Sequence, residues 1–129
     1  MRLLKILITF YVNIFFVNAQ NINISKCYQS DDFSRVIIAG GSLTEIFFFL
    51  GIQNSIAGVD ITSNFPIEAT KLPSIGYVRT LSTEGILSLE PTLVIGENDM
   101  GPPMVIDQLQ KTSIDLRIIP EKRTINGII

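Results

Sequence analysis

The stretch GYVRTLSTEG, Gly76–Gly85, carries the pair of side chains best suited to chemistry in this sequence: Tyr77, and two residues later Arg79. In an extended segment the side chains at i and i+2 point the same way, so phenol and guanidinium would share one face. A fixed positive charge beside a phenol favours phenolate, lowering a reference pKa of ~10. Phenolate is a hard anionic oxygen ligand suited to ferric iron, and tyrosine serves as an axial haem ligand in some proteins. The same two residues also fit a half-buried loop tyrosine beside a solvated arginine. Residue types and spacing leave both readings open.

Other candidates are weaker. Ala39-Gly40-Gly41-Ser42 has the look of a phosphate loop, but it lacks both the G-x-G-x-x-G spacing and the P-loop lysine. Ser42 is better accounted for as a helix cap. Asp99 and Met100 belong either to a cleft wall or to a plain turn. Met100 and Met104 as soft metal ligands would want cysteine or histidine company. The chain has no histidine and one cysteine, Cys27. That excludes Ser-His-Asp and Cys-His catalysis, histidine-containing zinc sites and an intramolecular disulfide. With no nucleophile–base pair visible, the residues point away from an enzyme.

The elements that must position these residues follow from the hydrophobic pattern. Arg35–Gly40 is a continuous, β-branched run, the mark of a strand buried on both faces. Gly40-Gly41 turns the chain. Ser42-Leu43-Thr44-Glu45 reads as a capping box opening a helix that Gly51 stops, with Ile46–Phe49 expected to pack on the sheet. Ser55–Asp60 is a second strand, which makes a βαβ unit. Ile61–Leu81 lacks periodicity and is longer than a compact domain needs, as functional loops are. Ser82 caps a short helix, Thr92–Glu97 is a third strand, Pro103–Ser113 an amphipathic helix and Asp115–Pro120 a fourth strand. The expected fold is α/β, a parallel sheet with flanking helices. Ligands of such sheets bind beyond the carboxyl ends of the strands, and the loop containing Tyr77 falls on that edge. Thr124 would cap a further helix, Ile125–Ile129. A single turn is marginal alone, so either this end frays or the chain is the front part of something longer.

The 129 residues suffice for one domain with a core. Charged residues make up 17% and apolar residues 47%, which suits a packed domain. A net charge of −2, with no basic cluster longer than Lys122-Arg123, argues against nucleic acid. Residues 1–19 read as a cleaved signal peptide: Arg2 and Lys5, the apolar run Ile6–Val17, then small residues at Val17 and Ala19. These twelve residues, interrupted by Asn13, span only ~18 Å as a helix, short of a bilayer's roughly 30 Å. Cleavage would take the formal charge from −2 to −4 and place the protein in the periplasm. Residues 20–34 form a polar lead-in, and 35–129 form the lobe. Cys27 stands ten residues past Val17, after Ile24-Ser25-Lys26, so lipid attachment is not expected.

Four segments, RVIIAGGSLTEIFFFLG, GVDITSNFP, LPSIGYVRTLSTEGILSLEPTLVI and GPPMVIDQL, resemble the periplasmic haem-binding proteins of bacterial ABC importers. Those lie within the wider class that binds cobalamin and ferric siderophores. The resemblance implies that Tyr77 is the axial ligand of ferric haem iron and that Arg79 supports the tyrosinate by hydrogen bonding. It also implies capture rather than catalysis, with haem handed to a membrane permease. Members of that family have two such lobes joined by a long helix, with haem clamped between them. The expectation is therefore an N-terminal lobe whose partner lobe is missing, either still able to bind or a non-functional remnant. Cobalamin or a ferric siderophore is the alternative ligand. Family members often carry an acidic residue at the start of the PPxVxDQL helix, where the permease can dock; here that position is Met104.

Overall fold

The computed structural model describes residues 32–120. The leader, most of the lead-in and the turn expected from Thr124 lie outside the described residues.

Strand β1 (Val36–Ala39) takes the interior place that its β-branched run requires, and all four of its residues are buried. The chain continues through helix α1 (Gly41–Phe49), strand β2 (Ile56–Val59), helix α2 (Thr83–Leu87), strand β3 (Leu93–Glu97), helix α3 (Pro103–Gln110) and strand β4 (Asp115–Ile119). The four strands pair in parallel in the order β2-β1-β3-β4. Val36 lies opposite Leu93 and Ala39 opposite Gly96, and the ladder continues from Leu93–Asp115 to Glu97–Ile119.

Because side chains alternate along a strand, β1 feeds two cores. Ile37 and Ala39 join Val94 and the helix residues Ile86, Val105 and Leu109 on one face. Val36 and Ile38 join Ile56, Val59, Leu93 and Leu43 of α1 on the other. Gly96 lets Met100 fold back onto β3: a Cβ there would sit 2.5 Å from the Met100 sulfur. Met100 is buried in the first core, so it belongs to the packing and not to a cleft.

Two local expectations need correction. Ser42 does not cap α1, because the helix already begins at Gly41 and no side chain caps it. Gly40, at φ 146°, makes the turn one residue earlier than the capping box implied, and the Ser42 hydroxyl bonds the Glu97 carboxylate instead. The Ile46–Phe49 run is only half core. Phe47 and Phe48 pack on the second cluster, while Ile46 is half exposed and Phe49 is 90% exposed. Four consecutive residues cover more than a full helical turn and cannot all face one sheet. The stop at Gly51 holds: its φ is +71°, and the Gly51 and Ile52 N–H groups donate to Phe48 and Phe47 carbonyls, a Schellman closure. The long loop, which lacks periodicity in the sequence, carries local structure. Ile67–Lys71 forms a 3-10 turn, and residues 73–75 run parallel to the end of β2, with Val59 N–H donating to Pro73 O and Ile75 N–H to Val59 O.

The carboxyl edge of the sheet is tied together by one buried side chain, Asp60. Its Oδ1 accepts from Gly40 N–H and from the Ser63 hydroxyl, both at 3.0 Å. Its Oδ2 accepts from Thr62 N–H at 3.1 Å and from the Thr62 hydroxyl at 2.6 Å. The Ser63 hydroxyl also meets Thr44 Oγ1 of α1 at 2.8 Å. The β1–α1 turn, the helix and the loop after β2 thus share one carboxylate.

Two stability measurements check this description, both by urea unfolding. Ile37→Ala should lower stability by about 2–5 kcal/mol, whereas Phe49→Ala should change it by less than about 0.5 kcal/mol. Asp60→Ala strands the Gly40 and Thr62 donors and should cost about 2–4 kcal/mol; a cost below that of Phe49→Ala would show that the carboxylate does not hold the edge.

Candidate functional site

Tyr77 is presented by a short series of backbone constraints. Ile61, just past β2, donates its N–H to Gly76 O at 2.9 Å, and the Gly76 N–H donates to Ser74 Oγ at 3.2 Å. Gly76 has a φ of +91°, a conformation that strains any side chain, so the chain can change direction just before the tyrosine. The Thr80 N–H then donates to Tyr77 O at 2.8 Å, closing a four-residue turn with Val78 and Arg79 at its centre. Val78 is buried in the first core. It anchors the turn from below and leaves Tyr77 39% exposed at the carboxyl edge.

Tyr77 and Arg79 therefore stand in one tight turn, not in the extended segment that the i, i+2 argument assumed. Arg79 reaches across to the turn after β3: Nε and Nη2 donate to Asp99 Oδ2 at 3.2 and 3.1 Å. The two turns are also joined through backbone. Gly101 N–H donates to Val78 O and Leu81 N–H to Gly101 O, each at 2.9 Å. Asp99 is the site residue whose role sequence reasoning did not specify. Its only signal was topological, since the turns after β2 and β3 end on the same edge.

The loops of this lobe also expose apolar side chains. Ile61, Phe65 and Ile67, all from the loop after β2, are exposed, as is Met104 at the start of α3. Next to this edge an open concavity of about 530 Å³ is lined by Ser42, Ile46, Phe48, Phe49 and Phe65, among others; Tyr77 and Arg79 do not line it. The Gly40-Gly41-Ser42 turn has no room for a phosphate role. Its Gly40 N–H is taken by Asp60, and Ser42 faces Glu97. Among the described residues no three His, Cys, Asp or Glu side chains gather as a metal site. The edge thus offers an accessible phenol oxygen with a cation in the same turn, that cation being paired with the carboxylate of the adjoining turn.

Known proteins share this lobe. A periplasmic haem-binding protein from Pseudomonas aeruginosa superposes with a TM-score of 0.69 at 39% identity, covering 73% of this chain and 34% of that one. RhuT, a periplasmic haem-binding protein from Roseiflexus sp. RS-1, superposes at 0.67 and 44% identity, covering 73% of this chain and 36% of its own. Structures of the haem-binding protein HmuT include one variant with a tyrosine replaced by alanine and another with an arginine replaced two positions further on. Among curated proteins, vitamin B12-binding proteins match: that of Pectobacterium carotovorum is 28% identical over 88 residues, 68% of this chain and 32% of its own length. That of Yersinia pestis is 29% identical over 82 residues, 64% and 29%. The chain spans about a third of the length of these relatives. A family model described as periplasmic binding protein matches residues 36–128, the whole of the parallel sheet included, and the chain belongs to that family.

Proposed function

We infer that this lobe captures ferric haem for delivery to an ABC permease, with Tyr77 as the iron ligand and Arg79 as its electrostatic partner. The observation that carries the reading is the accessible phenol of Tyr77, held at the carboxyl edge by the buried Val78 in a turn whose preceding residue, Gly76, is bonded to the exposed Ile61. A flat apolar macrocycle with a hard ferric centre fits that arrangement: the phenolate oxygen ligates the metal, and Ile61 and its neighbours meet the ring. Arg79, in the same turn, supplies positive charge where phenolate and the carboxylates of haem carry negative charge. Identities of 30–44% to haem-binding proteins support the assignment.

The curated B12-binding relatives, at 28–29% identity, favour a second reading in which the same edge takes a corrinoid. The two readings differ in what they ask of Tyr77. Haem capture would use the phenol oxygen of Tyr77 on the metal, with the cation of Arg79 in the same turn. Export through residues 1–19, a periplasmic location and transfer to a permease in the inner membrane complete the reading.

Titration of the protein with ferric haem and, in parallel, with cobalamin separates the alternatives. The haem complex should show a tyrosinate-type absorption spectrum. Tyr77→Phe should abolish that spectrum, and Arg79→Ala should weaken binding by about ten- to a hundred-fold, as the loss of a group supporting a metal ligand does. An unchanged spectrum in Tyr77→Phe, or saturable binding of cobalamin alone, would overturn the assignment.

A further inference from the structure

Arg79 lies at the surface, yet a specific partner holds its guanidinium. Nε and Nη2, the fork that matches an anionic oxygen group, both donate to Oδ2 of Asp99. The two residues are far apart in sequence and meet because their turns are joined. The Met100 N–H donates to Glu97 O, which closes the turn carrying Asp99, and the Gly101–Val78 and Leu81–Gly101 bonds tie it to the turn carrying Tyr77 and Arg79. Val78 and Met100 are buried beneath the two turns in the same core, so the backbone under the ion pair is fixed while both side chains stay accessible.

We propose that Asp99 positions Arg79 and restrains its charge, holding the guanidinium in the turn beside Tyr77 while competing with an anionic ligand oxygen for it. The inference rests on the haem reading above, because only an anionic oxygen at this edge makes the competition matter. Asp99 occupies the fork that such an oxygen would use. A ligand bound at Tyr77 gains the full charge of Arg79 only to the extent that Asp99 gives it up. The pair is exposed, with side-chain accessibilities of 61% and 37%, so the effect is graded rather than all-or-none. Asparagine keeps an acceptor oxygen for the guanidinium and removes the charge. Asp99→Asn therefore retains the positioning and relieves the competition.

The test is a ferric haem titration of the full chain as wild type, Asp99→Asn, Arg79→Ala and the double variant, with a thermal melt of each as a fold control. Asp99→Asn should bind haem about two- to five-fold more tightly, the range an exposed ion pair supports. The gain should disappear in the Arg79→Ala background and shrink in about 1 M salt. Unchanged or weaker binding by Asp99→Asn overturns the inference. So does a gain that persists without Arg79, since the carboxylate would then act on the ligand directly. A wild-type chain that gives no tyrosinate spectrum overturns the haem reading, and this inference with it, whereas a wild-type tyrosinate spectrum with unchanged affinity in Asp99→Asn overturns this inference alone.

Discussion

The carboxylate of Asp60 is the interaction on which the binding edge depends. A buried acidic side chain is tolerable only when its oxygens are hydrogen-bonded, and here both are, by Gly40, Thr62 and Ser63. Those donors come from the β1–α1 turn and from the loop that follows β2. The loop then runs back past the end of β2, where Ile61 meets Gly76. Tyr77 is the next residue. Its placement is thus set at one end by the Asp60 cluster and at the other by Val78 in the core. The phenol itself needs no partner to hold it in place, which leaves it accessible to a ligand.

Much of this fold is legible in the sequence because burial leaves a pattern. Val36-Ile37-Ile38 reads as a strand covered on both faces, and it is one. The glycine-stopped helix and the later strand–helix alternation follow in the same way, so the parallel α/β lobe emerges from periodicity and turn residues alone. What is not legible depends on neighbours distant in sequence. Ser42 has the spacing of a cap, but Glu97 lies close enough to claim its hydroxyl. Phe49 has core chemistry yet lies on a helix face that no described element covers. The pairing of residues 73–75 with β2 is a backbone event that side-chain periodicity does not record.

The candidate site divides in the same way. Tyr77 and Arg79 stand out by residue type, and topology places them at the carboxyl edge of the sheet, where ligands of such sheets bind. Their relation does not follow from the i, i+2 rule, since that rule holds only in extended chain. Asp115 and Arg117 lie in β4 and do meet across two residues, at 2.9 Å. Tyr77 and Arg79 lie in a turn, and Arg79 is bonded to Asp99 instead. A partner twenty residues away could be found only once the turns after β2 and β3 were known to be joined. The lobe itself is common to proteins named for haem and for vitamin B12, so shared fold does not decide between the ligands. In the proposed reading, the phenol and the charges around it carry that decision.

The central claim, that Tyr77 is the iron ligand, is tested most directly by resonance Raman spectroscopy of the ferric haem complex made with ring-labelled tyrosine. The account predicts iron-bound phenolate modes that shift with the label and vanish in Tyr77→Phe. A haem complex without phenolate modes, or one whose modes survive in Tyr77→Phe, would contradict it.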